Sequence, residues 1–203
     1  MAAKRLRGRP PKKVLRSKQV AAKRLRGRPP KEVLRSKKVE QLGYALLCKV
    51  LASLTWVISS LRTERDVADV VIAPPHAVPP ERLHEFKKYK GGLRGLKVEL
   101  KVTSSTPPCF WGSDEKSDGT RKRQKLWENT HCDVFIFIHC SELFSSQSDW
   151  AMYVVPRIEK NAELLNCESI QTLQKFKTSG IPRITTAKEL SEQLAAAYVL
   201  KNN

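Results

Sequence analysis

The sequence predicts an α/β protein, with a mixed central sheet flanked by helices and a disordered, basic N-terminal tail. Three observations support this fold class. Apolar runs of strand length occupy 66–73, 133–138 and 150–155. Helical patterns with an apolar side lie before and after these runs. The positive charge is concentrated in residues 1–39.

The charge distribution divides the chain into a tail, 1–39, and a body, 40–203. The formal net charge of the whole chain is +18. The tail contains 16 Lys and Arg and one acid, Glu32, whereas the other 164 residues contain 22 basic and 19 acidic groups. A tail this basic favours a polyanionic partner, most simply nucleic acid. The body has an ordinary globular composition.

The tail is a near-perfect repeat of 2–20 in 21–39, and each copy contains Arg-Gly-Arg-Pro-Pro-Lys. Glycine permits close approach of the backbone, and the prolines hold the chain extended. Two arginines on such a flat peptide fit the narrow, electronegative minor groove of A·T-rich DNA. A generic basic arm or a nuclear-import signal is the alternative. The predicted DNA-binding residues of the two copies are Arg7, Gly8, Arg9, Pro10, Arg26, Gly27, Arg28 and Pro29.

These two segments resemble the AT-hook, a short DNA-binding motif with the core Arg-Gly-Arg-Pro and basic flanks. The resemblance covers Arg7–Lys12 and Arg26–Lys31. It implies that the tail binds double-stranded DNA in the A·T-rich minor groove. Leu6 and Leu25 stand where strong hooks often carry proline.

Residues 42–61 form an apolar stretch interrupted by Lys49. A membrane anchor is not expected, because a lysine at the centre of a spanning helix costs about 2.5–3.5 kcal/mol. The larger apolar side chains also fall on one side of a helix. We therefore predict an amphipathic, core-facing helix that begins as early as Lys31, after the second pair of prolines, and no membrane partner.

The remaining elements follow from apolar patterns and breakers. Residues 66–73 predict a buried strand with carboxylates at its start, and two apolar strands follow at 133–138 and 150–155. Short helices are predicted at 81–90 and 120–130, with loop between Thr106 and Gly119. The second of these helices is basic, and its Arg121, Lys122 and Arg123 are candidate DNA phosphate contacts. A C-terminal helix is predicted at 186–200, capped by Thr185 or Thr186.

The five cysteines are odd in number and form no Cys-x-x-Cys motif. The charged N-terminus lacks the apolar core of a secretory signal, so we expect reduced thiols in an intracellular protein. Two His-Cys pairs, at 131–132 and 139–140, flank a predicted strand. An extended strand places them roughly 26 Å apart, which excludes one zinc ion shared by both.

The stretch Gly95–Thr103 alternates strictly between charged and apolar residues. A strand with this pattern holds Glu99 and Lys101 about 6.6 Å apart on one face and buries its Val-Leu-Val face. A carboxylate beside an ammonium group suits metal-assisted hydrolysis. The alternative is an edge strand with a solvated charged face.

The order of these elements resembles the PD-(D/E)xK nuclease superfamily over roughly residues 40–156. Glu99 and Lys101 match the (D/E)xK pair, and Asp69 matches the upstream acid, with Asp66 as the alternative. The resemblance implies a restriction-endonuclease-like core in a catalytic domain at 40–203. It also implies a Mg²⁺ ion held by Asp69 and Glu99, and catalysis by Asp69, Glu99 and Lys101. The implied activity is that of a DNA endonuclease tethered by two AT-hooks.

Two other functions stay open on the sequence. The first is a non-enzymatic AT-hook chromatin or DNA-binding protein whose body is an interaction domain. The second is an RNA-binding or ribosome-associated protein, which the charge alone suggests. A DNA-associated location is expected, in the nucleus if the organism is a eukaryote. Restriction-type cleavage and a homodimer are left open.

Overall fold

The computed structural model describes residues 31–59, 68–78, 95–105, 107–111, 114–117, 120–123, 125–128, 131–140, 150–167 and 169–202. The chain divides between Lys37 and Lys38 into two units, and the sheet belongs to the second, Lys38–Asn203. Three predictions lie outside the described residues: the DNA contacts of the hooks, the helix at 81–90 and the alternative acid Asp66.

The described part of the chain contains nine strands, five of which form the central sheet. The sheet order is first, second, third, seventh and eighth strand, counted along the chain. The third and seventh strands are parallel, and every other neighbouring pair is antiparallel, so the predicted mixed sheet is confirmed. The strands are β1 (Val57–Ile58), β2 (Val70–Ala73), β3 (Leu96–Thr103), β4 (Phe110–Trp111), β5 (Asp114–Ser117), β6 (Thr120–Arg123), β7 (Val134–Cys140), β8 (Trp150–Pro156) and β9 (Ser169–Ile170).

Helices flank the sheet, as the sequence predicts. They are α1 (Lys31–Ala52), α2 (Ala162–Leu165), α3 (Gln174–Thr178) and α4 (Ala187–Asn202). The long helices α1 and α4 cover one face of the sheet, where their leucines share a core with Val98 and Leu100 of β3. We call this the helical face. Among the described residues, none of these helices is both long and apolar enough to span a membrane.

A glycine brings α1 into close contact with the strand that carries Glu99. A Cβ atom on Gly43 would lie 2.4 Å from Cγ2 of Val102, which is inside van der Waals contact. The absence of a side chain at Gly43 therefore lets the helix backbone rest directly on β3. This contact supports β3 from the face opposite Glu99.

The other face of the sheet carries an aromatic core, and we call it the aromatic face. The ring of Phe137 lies 5.2 Å from Phe110 of β4 and 5.0 Å from Phe176 of α3, measured between centroids. Tyr153 of β8 stacks on Phe176 at 4.3 Å. This second core covers β7 and β8 and stops short of β2 and β3. Charged residues of β3 therefore lie at its border.

The predicted helix over 42–61 is too long at its C-terminal end. The observed helix begins at Lys31, as predicted, but ends at Ala52. Thr55 then adopts a left-handed backbone, with φ at 60°, and the chain turns into the short strand β1. Val57 and Ile58, which belong to the predicted apolar stripe, are partly buried, but they are residues of a strand and not of the helix.

The basic helix predicted at 120–130 is wrong. Arg121, Lys122 and Arg123 lie in strand β6, which pairs with β5 as an antiparallel ribbon. The loop predicted from Thr106 to Gly119 likewise contains β4 and β5. A short 3₁₀ helix at Leu126–Glu128 is the only helical element described between 120 and 130. DNA phosphate contacts by these three residues stay a prediction, and the residues that would make them lie on a strand.

The C-terminal helix is confirmed at Ala187–Asn202, and its cap is Thr186. The Thr186 hydroxyl accepts a hydrogen bond from Glu189 N at 3.2 Å, while Glu189 Oε2 accepts one from Thr186 N at 3.0 Å. This reciprocal pair is a capping box. Hydrogen bonds from the backbone of Thr185 and Thr186 also lower the pKa of the Glu189 carboxyl.

Candidate active site

The structure places Glu99 and Lys101 on the aromatic face of β3. Their neighbours in the parallel register are Phe135 and Phe137 of β7. Glu99 is 3% exposed, whereas Lys97 on the same face of the strand is exposed. The predicted alternation is therefore correct, but the alternative of a solvated charged face is wrong at Glu99. A buried carboxylate at the border of an apolar core needs compensation.

Lys101 compensates one oxygen of this carboxylate. Its Nζ donates a hydrogen bond to Glu99 Oε1 at 2.9 Å, and the two side chains are 13% and 5% exposed. The second oxygen, Glu99 Oε2, is buried and has no hydrogen-bond partner among the described residues. An unpartnered carboxylate oxygen is costly to bury, and a cation within reach would offset that cost.

Asp69 lies next to this pair, immediately before β2. The register pairs Val70 with Val98, so one further step places Asp69 opposite Glu99 on the same face. Residues directly opposite in an antiparallel pair have Cβ atoms about 4.5–5.5 Å apart. Asp69 is 2% exposed, and its Oδ2 accepts a hydrogen bond from Leu100 N at 2.8 Å. The sheet therefore brings all three residues of the predicted catalytic set together.

The donor set suits Mg²⁺ better than a metal held entirely by the protein. No cluster of three or more His, Cys, Asp or Glu side chains forms a metal site within the described ranges. Asp69 and Glu99 supply two carboxylates, and Mg²⁺ commonly takes one or two carboxylates and completes its shell with water and substrate oxygens. The buried Oε2 atom of Glu99 fits this role.

Hydrogen bonds around Asp133, at the start of β3 and β7, hold the two parallel strands in register. Asp133 Oδ2 accepts a hydrogen bond from Lys97 N at 2.7 Å, and Asp133 N donates one to Lys97 O at 2.8 Å. Lys201 at the end of α4 donates to Asp133 Oδ2 at 2.7 Å and also to the Gly95 carbonyl. Asp133 and Lys201 thus position the strand of Glu99 without touching the candidate site. This role of Asp133 was not predicted, although Asp133 directly precedes an apolar run just as Asp69 does.

Cys132 also lies near Glu99, a position that was not predicted from its His-Cys pair. Burial raises the pKa of its thiol to about 12, with a further contribution from the negative charge of Glu99. The positive charges of Arg157 and Lys101 act in the opposite direction. Cys132 is 4% exposed. The border of the candidate site is therefore a low-dielectric environment, in which a cation–carboxylate interaction is strengthened.

We expect the Cys132 thiol to make stability fall at alkaline pH. Its pKa in the fold, about 12, exceeds the reference value of 9.0. Its contribution is therefore complete below pH 9 and is lost as the pH rises towards 12. At a pH one unit above the unfolded value the loss is about 1.4 kcal/mol. Urea unfolding of wild type and Cys132→Ala across this range should show a shallower decline for the variant. Cys48, Cys140 and Cys167, whose thiol pKa values burial also raises, remain in both proteins. Parallel declines would contradict the assignment.

Comparison of the chain with protein-family models, with curated proteins and with solved structures gave no match.

Proposed function

We propose that the protein is a Mg²⁺-dependent DNA endonuclease of the PD-(D/E)xK type, with a restriction-endonuclease-like core tethered to A·T-rich DNA by two AT-hooks. One observation carries this proposal. A buried Glu99 carboxylate, with one oxygen bonded to Lys101 and the other unpartnered, lies opposite a second buried carboxylate, Asp69. The mixed sheet supports the proposal, because the antiparallel pair β2–β3 places the two acids side by side.

In this proposal Asp69 and Glu99 hold the metal, and Lys101 acts on the substrate. Bound Mg²⁺ would supply charge neutralisation at the phosphate and a more acidic water. Lys101 uses one N–H for Glu99 Oε1, and its other two donors, which bond to no other described residue, would bind the attacking water or a phosphate oxygen. Hydrolysis forms one P–O bond to the water oxygen, breaks the P–O bond to the leaving sugar oxygen, and transfers the water proton to that oxygen. The apolar side chains around Phe135 and Phe137 limit competing solvent.

The second candidate is a non-enzymatic AT-hook protein. The tandem repeat accounts for DNA binding without any chemistry. The hydrogen bonds of Asp69 to Leu100 N and of Lys101 to Glu99 also stabilise the join between β2 and β3. In that case the three residues are structural, and the body serves as an interaction domain.

The two candidates differ in their response to Mg²⁺. We expect purified protein to convert supercoiled plasmid to open-circular and linear forms with Mg²⁺ and to leave it intact with a chelator. Mg²⁺ should also raise the unfolding temperature of the DNA-free protein, since a ligand at 100 times its Kd stabilises by about 2.7 kcal/mol. Glu99→Gln is the matched control, because it keeps the shape and removes the metal ligand.

Two outcomes favour the non-enzymatic candidate. One is plasmid that binds the protein and stays supercoiled in Mg²⁺. The other is an unfolding temperature that Mg²⁺ changes equally in wild type and Glu99→Gln. Concerted cleavage of both DNA strands would require two active sites and therefore a second copy of the chain. Sedimentation of the DNA complex tests for that homodimer.

A further inference from the structure

A cleft of about 490 Å³ lies beside the aromatic face, beyond β8. Its floor includes Tyr153 and Ile181, and its rim carries two cationic side chains, Lys177 and Arg183. Both cations are exposed, and none of the described residues that line the cleft is acidic. Neither cation is ion-paired to another described residue. The cleft is thus suited to an anionic group with an apolar portion.

The position of Arg183 follows from the edge of the sheet. Ile184 forms an antiparallel bridge with Met152, with N–O distances of 2.9 and 3.1 Å in the two directions. One step along this register places Arg183 opposite Tyr153, on the aromatic face. Arg183 acts electrostatically on Tyr153: its charge partly offsets the rise that burial causes in the pKa of the phenol. The cleft therefore belongs to the same side of the sheet as Glu99 and Lys101.

A single row of residues across the sheet connects the cleft with the candidate active site. Lys101 pairs with Phe137, Phe137 pairs with Tyr153, and Arg183 continues the row. Three strand spacings of about 4.8 Å separate the backbones of Lys101 and Arg183 by about 14 Å.

The wall of the cleft is preformed. Helix α3 ends in a turn in which Gly180 adopts φ of 70° and Ile181 N donates to Phe176 O at 2.9 Å. This turn fixes Lys177 on one side of the cleft, while the Ile184 bridge fixes Arg183 on the other. Stacking of Tyr153 on Phe176 joins the two sides through the core.

From this geometry we propose that the cleft is a second DNA backbone site, in which Lys177 and Arg183 bind phosphates of the duplex that is cut at Glu99 and Lys101. The inference rests on the proposed function for the identity of its ligand. Contacts to phosphate set the register of a protein on DNA without reading sequence. The cleft would then orient the duplex body, while the hooks supply attachment.

The test compares two double variants of the full chain. Lys177→Gln with Arg183→Gln removes the cleft charges. Lys49→Gln with Lys188→Gln removes the same charge from exposed positions on α1 and α4, which cover the helical face. Affinity for a G·C-rich duplex is measured without metal over a range of salt. Each phosphate contact contributes about −0.9 to the slope of log K against log salt, so the cleft variant should lose up to about two units. The control variant should keep the wild-type slope.

A photo-crosslinking residue reports which position of the body lies next to DNA, whatever share of the total affinity the tail contributes. Placed at 177 it should crosslink to the duplex, and placed at 188 it should not. Equal slope changes in the two double variants, or equal crosslinking at both positions, would overturn the proposal. So would binding of a free nucleotide in the cleft that duplex DNA does not displace. None of these measurements uses metal or cleavage. A wild-type protein that fails to cut plasmid would therefore refute the endonuclease proposal, and the binding test of the cleft would still apply.

Discussion

Glu99→Gln, Lys101→Ala and Asp69→Asn are each expected to lower plasmid cleavage by at least about 10²-fold while DNA binding stays near the wild-type level. The reason is that different parts of the chain would carry out cleavage and DNA attachment. The three side chains lie together on β3 and the start of β2, and they are almost entirely buried. In the proposed function DNA attachment depends mainly on the tail, which carries 16 of the 38 Lys and Arg residues.

The control for this experiment is Lys97→Ala. Lys97 lies on the same face of the same strand, but it is exposed, and the hydrogen bonds of its backbone to Asp133 do not depend on its side chain. Cleavage by this variant should match wild type. Single-turnover rates at saturating DNA separate a loss in chemistry from a loss in affinity.

Loss of folding must be separated from loss of chemistry. Removing Lys101 alone leaves Glu99 charged and buried, and breaking a buried ion pair costs about 3–5 kcal/mol. The double variant Glu99→Gln with Lys101→Met removes both charges at similar volume, so it should unfold near the wild-type temperature and still fail to cut. A folded double variant that cuts at the wild-type rate would refute the assignment. Asp66→Asn distinguishes the two upstream acids, since its inactivity beside an active Asp69→Asn would move that role to Asp66.

Deleting residues 1–30 is expected to weaken DNA binding strongly and to reduce its salt dependence by several units of slope. Each phosphate neutralised contributes about −0.9, and the tail contains many Lys and Arg residues. The catalytic body should keep its residual activity on plasmid at low salt. The hooks should also confer a preference for A·T-rich duplex, because A-tracts narrow the minor groove that their arginines would enter.

Arg9→Ala with Arg28→Ala tests the hooks without shortening the chain. Gly8 and Gly27 are 19 residues apart, which a flexible chain spans as roughly 24 Å on average. We therefore expect that both hooks can bind one duplex and that the linkage raises avidity. The matched control is Lys13→Ala with Lys37→Ala, which removes two charges outside the Arg-Gly-Arg-Pro cores. If both variants bind A·T-rich and G·C-rich duplexes equally well, the tail is a simple basic arm.

Local patterns carried the predictions that proved correct. Strict alternation over Gly95–Thr103 gave the strand and the faces of Glu99 and Lys101, because side chains in a strand alternate with a period of two. Uninterrupted apolar runs identified β7 and β8, which are buried on both faces. Thr185 or Thr186 was predicted to cap α4, and the hydrogen bonds between Thr186 and Glu189 select Thr186.

The errors came from segments whose local signals compete. Arg121, Lys122 and Arg123 have good helix propensity, yet they form β6. The neighbouring Asp118-Gly119 dipeptide is a two-residue hairpin signal in the sequence between β5 and β6, and it predicts the observed pairing better than helix propensity does. At the end of α1 the apolar spacing of Val57 and Ile58 fits a helix, but pairing with Ile72 and Ala73 makes them a strand. Partners distant in sequence decide such cases, and a local pattern contains no information about them.

The sequence alone determined the basic duplicated tail, the alternating strand and the acid before β2, since each is a matter of residue type and spacing. The tertiary structure decided which of these meet. The antiparallel register of β2 and β3 sets Asp69 opposite Glu99 across a gap of thirty residues. The parallel neighbour β7 and the aromatic core bury Glu99 and leave one of its oxygens without a partner. The bridge of Ile184 to Met152 aligns Arg183 with Lys101. Burial and register are properties of the packed sheet, because they depend on strands that are far apart along the chain.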